Sequence, residues 1–568
     1  MSIPDPILAV RDAFARITAS EADSIWISLR DEADVAADAE VVAQRLAAGE
    51  SLPLAGTTFA VKDNIDVAGL ATTAAHPAFS HIPQHTATVV ERLLAAGALL
   101  VGKTNMDQFA TGLVGARSPY GRPSSAHHAD RVSGGSSAGS GAAVGHGLVD
   151  FSLGTDTAGS GRVPGAFNRV VGLKPTVGLV PSDGVVPACP SYDTVSVFAP
   201  DVALAARVLR VIAGPSKLDP HSRAWPQDAP QAAPDSAVVA VPRDADLGSL
   251  TPAMHDAFST AIARTREIGS EIVEIDFSPF LEAAKLLYDG GLVAERASSY
   301  GTFLAEHPDG ADPSVAAIAA KAMRITGVEV IADQQRLLQL TSVARETLEG
   351  TTALLIPTAP LHPTFAQLDA DPIGVNSLVG TFTNFVNLMD MSAVAVPTGP
   401  VDAEGEFGVT FVAPAFHDQI VADLAARFRG EPIAPLVGAP GTEVAVFGAH
   451  LTGEPLNHQL AELGGRFIRD IATSDGHRML LVPGIVDRPA IVRADDGECV
   501  PGELWRLSPA ALGTFLAGIA APLGLGEIEL DDGTTAIGFI ASVSDRSLRD
   551  ITSTGGWRAY RAGVLASA

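Results

Sequence analysis

Cysteine is almost missing: Cys189 and Cys499 are the two in 568 residues, 310 positions apart and in no redox or metal pattern. That excludes a disulfide-stapled scaffold and points to a reducing, cytoplasmic compartment. Basic charge is short as well, 38 Lys+Arg against 65 Asp+Glu, giving a formal net charge of −27, a pI near 4.8 and no basic run. A surface of that sign repels phosphate backbones and anionic bilayers, so neither nucleic acid nor membrane is expected as a partner. No apolar run is long enough to cross a bilayer, because the uncharged stretch from Leu507 to Gly526 is broken by Pro509, Pro522 and four glycines. Residues 1–20 lack the basic start and apolar centre of a signal peptide. Neither H-E-x-x-H nor C-x-x-C occurs, and the tandem His127-His128 has no third ligand nearby, so no metal is expected.

What the chain does have is a glycine- and serine-rich stretch from Arg131 to Asn168. Gly134-Gly135-Ser136-Ser137 and Gly159-Ser160-Gly161 each set a serine among residues that let the backbone turn tightly and another group come close. Between them, Phe151 to Leu153 reads as a short strand ending at Gly154. The small residues of Thr155-Asp156-Thr157-Ala158-Gly159-Ser160 leave backbone N–H groups uncovered, a nest suited to negative charge. A phosphate cradle is excluded, since neither G-x-x-x-x-G-K-[ST] nor a complete G-x-G-x-x-G is present. A serine hydroxyl needs a base. The nucleophile-elbow pattern is broken around Ser160, which reads A-G-S-G-R, and no nearby histidine completes a triad. Lys62 follows the apolar run Thr58-Phe59-Ala60-Val61, where desolvation can free its amine of a proton near neutral pH. Lys62 could then serve Ser160 with Ser136 as the relay.

Lys62 in AVKDN, the GGSSAGS stretch, and GTDTAGS placing Ser160 24 positions after Ser136 together resemble the amidase signature family of Ser-Ser-Lys hydrolases. The likeness covers roughly residues 50 to 440. It implies Ser160 as acyl nucleophile, Ser136 as bridging serine on a cis peptide, Lys62 as base, and an oxyanion hole from Thr157, Ala158 and Gly159 with Ser160. It implies no cofactor, and a homodimer as the assembly. The acid surface weighs against the family's amidotransferase branch, whose partner is tRNA.

Helical periodicity over Val35 to Ala48 and Thr88 to Ala96, with strand-like runs at Ala98 to Val101, Val238 to Val241, Glu271 to Phe277, Leu354 to Ile356 and Ala393 to Val396, fits an α/β sheet covered by helices, and the resemblance implies the amidase signature fold, whose central sheet is mixed. Five prolines in Gly214 to Ser236 mark a surface connection, and Lys174 reads as structural. The expected amidase domain spans residues 1–430, followed by a proline-rich linker at 431–442. Residues 443–568, with short strands near Glu443, Met479, Ala490, Gly502 and Thr535, read as a small, mainly β domain.

Two features bear on substrate. Leu286 to Arg296, read as one helix, places Tyr288 and Arg296 on a shared face, where a guanidinium can bind a carboxylate and a phenol can add a hydrogen bond. LLYDG…VAER is similar to the allophanate hydrolase branch, which implies that Tyr288 and Arg296 hold the substrate, a urea bearing a carboxylate. In the second domain GAHLTGEPLNHQL is similar to the accessory domain of that branch, related in fold to γ-glutamylcyclotransferases and implied to help decarboxylate N-carboxycarbamate. The cyclotransferases keep an acidic residue after a GELW-like strand, whereas Ala510 to Ala521 holds none, which argues against that activity here. His450 is the candidate working residue of this domain, with Asn457 and His458 behind it. The expected activity is hydrolysis of allophanate to two ammonia and two carbon dioxide. The alternatives are an amidase for another carboxylated amide such as malonamate, and a non-catalytic scaffold that has kept the fold.

Overall fold

Thr58–Lys62 and Phe151–Asp156 are strands in which every residue is buried. Strands covered on both faces need not alternate apolar with polar, which is why TFAVK and FSLGTD carry no period-two pattern. They pair in parallel, Phe59 opposite Phe151 with the two rings stacked at 5.2 Å, so Lys62 and Asp156 leave the sheet at the same edge.

The computed structural model describes residues 5–20, 22–436, 440–541 and 548–567. The chain divides into two units, Met1–Ala224 with Ser236–Gly438, and Trp225–Asp235 with Ala439–Ala568. An eleven-stranded sheet runs through the first, its strands beginning, in spatial order, at Trp26, Leu99, Thr58, Phe151, Thr194, Val171, Met391, Glu406, Ala353, Val238 and Glu271. Pairing is parallel around Thr58–Lys62, antiparallel through the middle, and parallel again between Ala353–Pro357, Val238–Pro242 and Glu271–Ile275. This is the mixed, helix-covered sheet expected of the fold class. The amphipathic run near Val35 is the helix Glu32–Ala47, started by Asp31, whose side chain accepts from the Ala33 N–H, and it buries Val35, Ala39 and Val42.

The helix Ala138–Gly145 lies in the interior, with Ala138 to Val144 all buried. Its small residues are dictated by close approach: a Cβ on Gly139 would lie 2.2 Å from the Ile25 carbonyl oxygen and 2.6 Å from the Asn105 nitrogen. The strand from Leu99 runs to Thr104, so Lys103 belongs to the sheet rather than to the loop that Gly102-Lys103-Thr104-Asn105 suggests.

The second unit has an eight-stranded sheet and a core that includes Phe447, Trp505, Phe515, Phe539 and Trp557. Strands at Arg466–Ala472 and Leu523–Glu529 join those legible in the sequence. The proline-rich connection is more than a surface link, because Trp225–Asp235 is part of this unit. There the Gln231 N–H donates to the Gly464 carbonyl (2.9 Å), Arg466 Nε donates to the Gln231 carbonyl (2.7 Å), and the Ala510 N–H donates to the Gln227 carbonyl (3.1 Å). Among the described residues no helix is long and apolar enough to cross a membrane.

One substitution type should act with opposite sign at two helical glycines. Gly139→Ala forces a methyl onto backbone atoms and should lower stability by about 2 kcal/mol or more. Gly513→Ala meets nothing within 4 Å in the helix Pro509–Ala517 and should raise it by about 0.5–1 kcal/mol. Calorimetric unfolding, with the transitions of the two units followed separately, reads both shifts.

Candidate active site

Asp156 ends its strand fully buried and organises the turn that follows. Its carboxylate accepts the N–H groups of Gly159 (2.9 Å) and Gly161 (3.0 Å) and a bidentate pair from Arg162, Nε at 3.0 Å and Nη2 at 2.9 Å. Burial opposes the charged form, but the Arg162 guanidinium and the N–H donors outweigh it and hold the carboxyl below its ordinary value. The loop is thus folded back over its own carboxylate. Gly159 adopts φ +136°, with Thr383 so close that a Cβ would lie 2.4 Å from its hydroxyl. Ser160 sits on this turn, 2 % exposed.

The Gly159 N–H, expected to face an oxyanion, is therefore already taken by Asp156. The N–H groups of Thr157, Ala158 and Ser160 have no acceptor among the described residues.

Lys62 ends the neighbouring strand, also fully buried. Its Nζ donates to Ser136 Oγ and to Thr155 Oγ1, both at 2.7 Å. Burial lowers its pKa to about 7, against the pull of the Asp107, Asp193 and Asp156 carboxylates. The Gly135-Ser136 peptide is cis. Asp107 stands behind it, donating its N–H to the Ser136 carbonyl (3.0 Å) and accepting the Gly115 and Arg117 N–H groups, both at 2.9 Å. The structure thus joins Lys62 to Ser136 directly and to the Ser160 loop through Thr155, while Ser136 and Ser160 make no direct hydrogen bond among the described residues.

Tyr288 and Arg296 do meet, though not along one helix. The helix Ser278–Leu286 stops first, the chain turns at Asp289-Gly290, and a second helical run begins at Gly291 and continues to Glu306. The Gly291 N–H donates to Asp333 Oδ2, and a Cβ on Gly290 would lie 2.4 Å from the same oxygen, so this contact sets the break. Arg296 still reaches Tyr288, Nη2 donating to the phenol oxygen at 2.9 Å with the guanidinium 4.5 Å from the ring centroid. Nη1 donates to Thr111 Oγ1 (3.1 Å), which lies against the Tyr300 hydroxyl at 2.5 Å. Thr111 and Tyr300 carried no signal in the sequence. Arg296 is fully buried, makes no ion pair among the described residues, and leaves Nε without a partner. Tyr288 also lines a cavity of about 450 Å³ with Leu113, Asn376, Gly380, Thr381 and Asn384; Arg296 and Ser160 are not among its lining residues.

In the second unit His450 is 7 % exposed, its ring stacked on Phe539 and edge-on to Phe515, both at 5.1 Å. Its Nε2 lies 3.0 Å from Gln459 Oε1, and burial lowers its pKa. Asn457 Nδ2 donates to the His450 carbonyl (2.9 Å), a structural contact, and the exposed His458 ring caps the Pro455 carbonyl at 2.9 Å. His450 instead faces a cavity of about 260 Å³ that also exposes Gln459 and Arg488, whose Nε is buried without a partner. Neither was singled out by the sequence.

A lysine with a pKa near 7 is half deprotonated at neutral pH and can accept a proton there. The value is lowered from 10.5, so the neutral form is lost as pH falls through 7. Log kcat/KM should rise with unit slope up to about pH 7 and level above it. Lys62→Arg, with a guanidinium that stays protonated, should lower kcat by roughly 10³-fold or more at every pH. A pH profile of amide hydrolysis checks both.

The family model described as Amidase matches residues 9–421, and that described as Allophanate hydrolase C-terminal domain matches residues 442–562. Urea amidolyase of Saccharomyces cerevisiae is 39% identical over 574 residues, which is 95% of this chain but only 31% of that protein. The chain spans about a third of the length of that relative and of the urea amidolyase of Lachancea kluyveri. A glutamyl-tRNA(Gln) amidotransferase chain of Deinococcus deserti is 33% identical over 75% of this chain and 93% of its own length. A solved structure of Kluyveromyces lactis allophanate hydrolase matches with a TM-score of 0.88 and 35% identity, covering 98% of this chain and 97% of that one. The chain therefore belongs to the amidase family, and within it to the members that carry an allophanate hydrolase C-terminal domain.

Proposed function

We propose that the chain hydrolyses allophanate. The observation that carries this reading is Arg296, a buried guanidinium that makes no ion pair among the described residues and is held by Thr111 and by Tyr288, which also lines a cavity of about 450 Å³. A buried charge without a partner is costly, and a substrate carboxylate supplies the missing one. The similarity to the Kluyveromyces lactis allophanate hydrolase along nearly the whole of both chains supports the same substrate.

In this reading Ser160 Oγ attacks the terminal amide carbon while its proton passes through Ser136 to neutral Lys62. The oxyanion is received by the N–H groups of Thr157, Ala158 and Ser160. Lys62, now charged, returns the proton through Ser136 to the departing nitrogen, which leaves as ammonia. Water then attacks the acyl-enzyme by the same relay, releasing N-carboxycarbamate and restoring the Ser160 hydroxyl. No step calls for a metal or cofactor. The second unit, with a boundary near residues 431–442 and a γ-glutamylcyclotransferase-like fold, assists decarboxylation of that product, with His450 as its working residue. The completed reaction yields two ammonia and two carbon dioxide, the end of a urea-degrading sequence in the cytoplasm, where the free thiols of Cys189 and Cys499 belong. The acting form is a homodimer, a reading supported by the exposed apolar stripe of Val328 (80%), Ile331 (57%) and Leu338 (64%) on the helix Gly327–Thr347.

The test is ammonia release from allophanate beside malonamate and benzamide. Allophanate should be strongly preferred. Ser160→Ala should reduce kcat by about 10⁴-fold or more, and Arg296→Ala should lower kcat/KM for the carboxylated amides by about 10²-fold, mainly through KM. Malonamate as the better substrate would reassign the amide while keeping the clamp. Equal cleavage of benzamide would remove the clamp from the reading, and no turnover of any amide would leave a scaffold.

A further inference from the structure

Asp193 takes part in none of the steps above, yet it is buried against the loop that performs them. It lies just before the strand Thr194–Ala199, which pairs antiparallel with Phe151–Asp156 so that Thr194 faces Asp156. The next position outward on each strand is Asp193 and Thr157, and there the Thr157 hydroxyl donates to Asp193 Oδ1. The other oxygen, Oδ2, accepts the N–H groups of Ala188 (2.7 Å) and Cys189 (3.0 Å). Those residues begin a closed turn, in which the N–H groups of Tyr192 and Asp193 both donate to the Cys189 carbonyl at 2.9 Å.

The same turn grips the segment that carries Arg296. The Ser191 N–H donates to Glu295 Oε2 (3.0 Å), and the Ser299 hydroxyl is shared between the Glu295 carbonyl (3.0 Å) and the Ala188 carbonyl (3.3 Å). One carboxylate therefore stands between the nucleophile loop on one side and the guanidinium's helical segment on the other. We infer that Asp193 is a positioning residue, which fixes Thr157, and with it the N–H groups that receive the oxyanion, at a set distance from the carboxylate-binding Arg296. The inference rests on the reading of that loop and clamp given above.

The geometry explains why a carboxylate stands there. Three donors converge on it, one hydroxyl and two N–H groups, and only an ionised acid accepts all three without supplying a proton of its own. The groups that face it are the Thr157 hydroxyl, the two N–H groups, the Cys189 thiol, and the charges of Arg296 and Lys62. Burial raises its pKa to about 6, against the pull of those donors and of Arg296. A raised acid is ionised above that value and takes up a proton as pH falls through it, so the three-donor arrangement weakens below pH 6.

The experiment compares wild type with Asp193→Asn, Thr157→Val and the double variant in the full chain. It measures the rate at which a fluorophosphonate, a phosphonylating probe without a carboxylate, labels Ser160, and kcat and KM on the amide that wild type cleaves best. Each single variant should label 10- to 100-fold more slowly per folded molecule, with final stoichiometry still one per chain. On the amide, kcat should fall by the same factor and KM should move less than threefold. The double variant should fall no further than the slower single, as expected of two ends of one contact. In wild type a second ionisation should steepen the acid limb of labelling below about pH 6, and Asp193→Asn should lack it. Labelling within twofold of wild type in either single variant, or a double variant equal to the product of the two, overturns the assignment. A wild type that labels fast but leaves allophanate intact overturns the substrate reading alone, since the variants' labelling rates still decide the role of Asp193.

Discussion

The ion pair between Asp156 and Arg162 is the contact on which the site depends. Both partners are fully buried, and removing one charge from such a pair costs about 3–5 kcal/mol because the other is left uncompensated. The pair also does something an apolar pair cannot. Its carboxylate draws in the Gly159 and Gly161 N–H groups and so turns the backbone of Thr157 to Gly161 back toward the sheet edge. Arg162 is held in turn by the Thr383 carbonyl (3.0 Å) and Asn387 Oδ1 (3.3 Å), and Asn387 Nδ2 donates to the Asp156 carbonyl (2.8 Å). The loop is therefore anchored from inside by one charge pair and from outside by the segment Thr383 to Asn387.

The second constraint is electrostatic. Lys62 lies in an interior that disfavours its charge, within reach of three carboxylates that favour it. Those carboxylates are each engaged elsewhere: Asp156 by Arg162, Asp107 by backbone N–H groups, Asp193 by Thr157 and the 188–189 turn. None makes a direct ion pair with Lys62 among the described residues, so their pull acts at a distance and falls short of restoring an ordinary lysine. A salt-bridged Lys62 would stay protonated well above neutral pH, and a lysine with no acid near it would stay neutral far below.

Legibility followed the kind of constraint involved. Lys62, Ser136 and Ser160 could be singled out because each sits in a local pattern of glycine, serine and apolar residues, and the structure joins the first two directly. The parallel pairing that brings Lys62 and Asp156 to one sheet edge was visible only as two buried runs. Tyr288 and Arg296 were found by assuming a continuous helix, whereas the chain breaks at Gly290 and restores their contact through a turn held by Asp333. Asp193, Thr111 and Tyr300 escaped notice because the contacts that bring them to the site join distant parts of the chain and leave no spacing to read. Residues 225–235 were misjudged for a related reason: backbone bonds to Gly464 and Ala510 hold them, and backbone bonds leave no trace in composition.

The arrangement around Arg296 holds a buried cation in place without an ion pair among the described residues. Its direct hydrogen-bonding neighbours are hydroxyls and an aromatic face, which orient the guanidinium, while the Asp193 carboxylate acts on it only through space. Hydroxyl donors and acceptors can turn to suit a newcomer, while a protein carboxylate in their place would compete with it. Arg296 sits in the second turn of the helical run that begins at Gly291, and the Asp193 turn fastens that run to the strand pair Phe151–Asp156 and Thr194–Ala199. In the proposed reading, recognition at Arg296 and chemistry at Ser160 are tied together through that one turn.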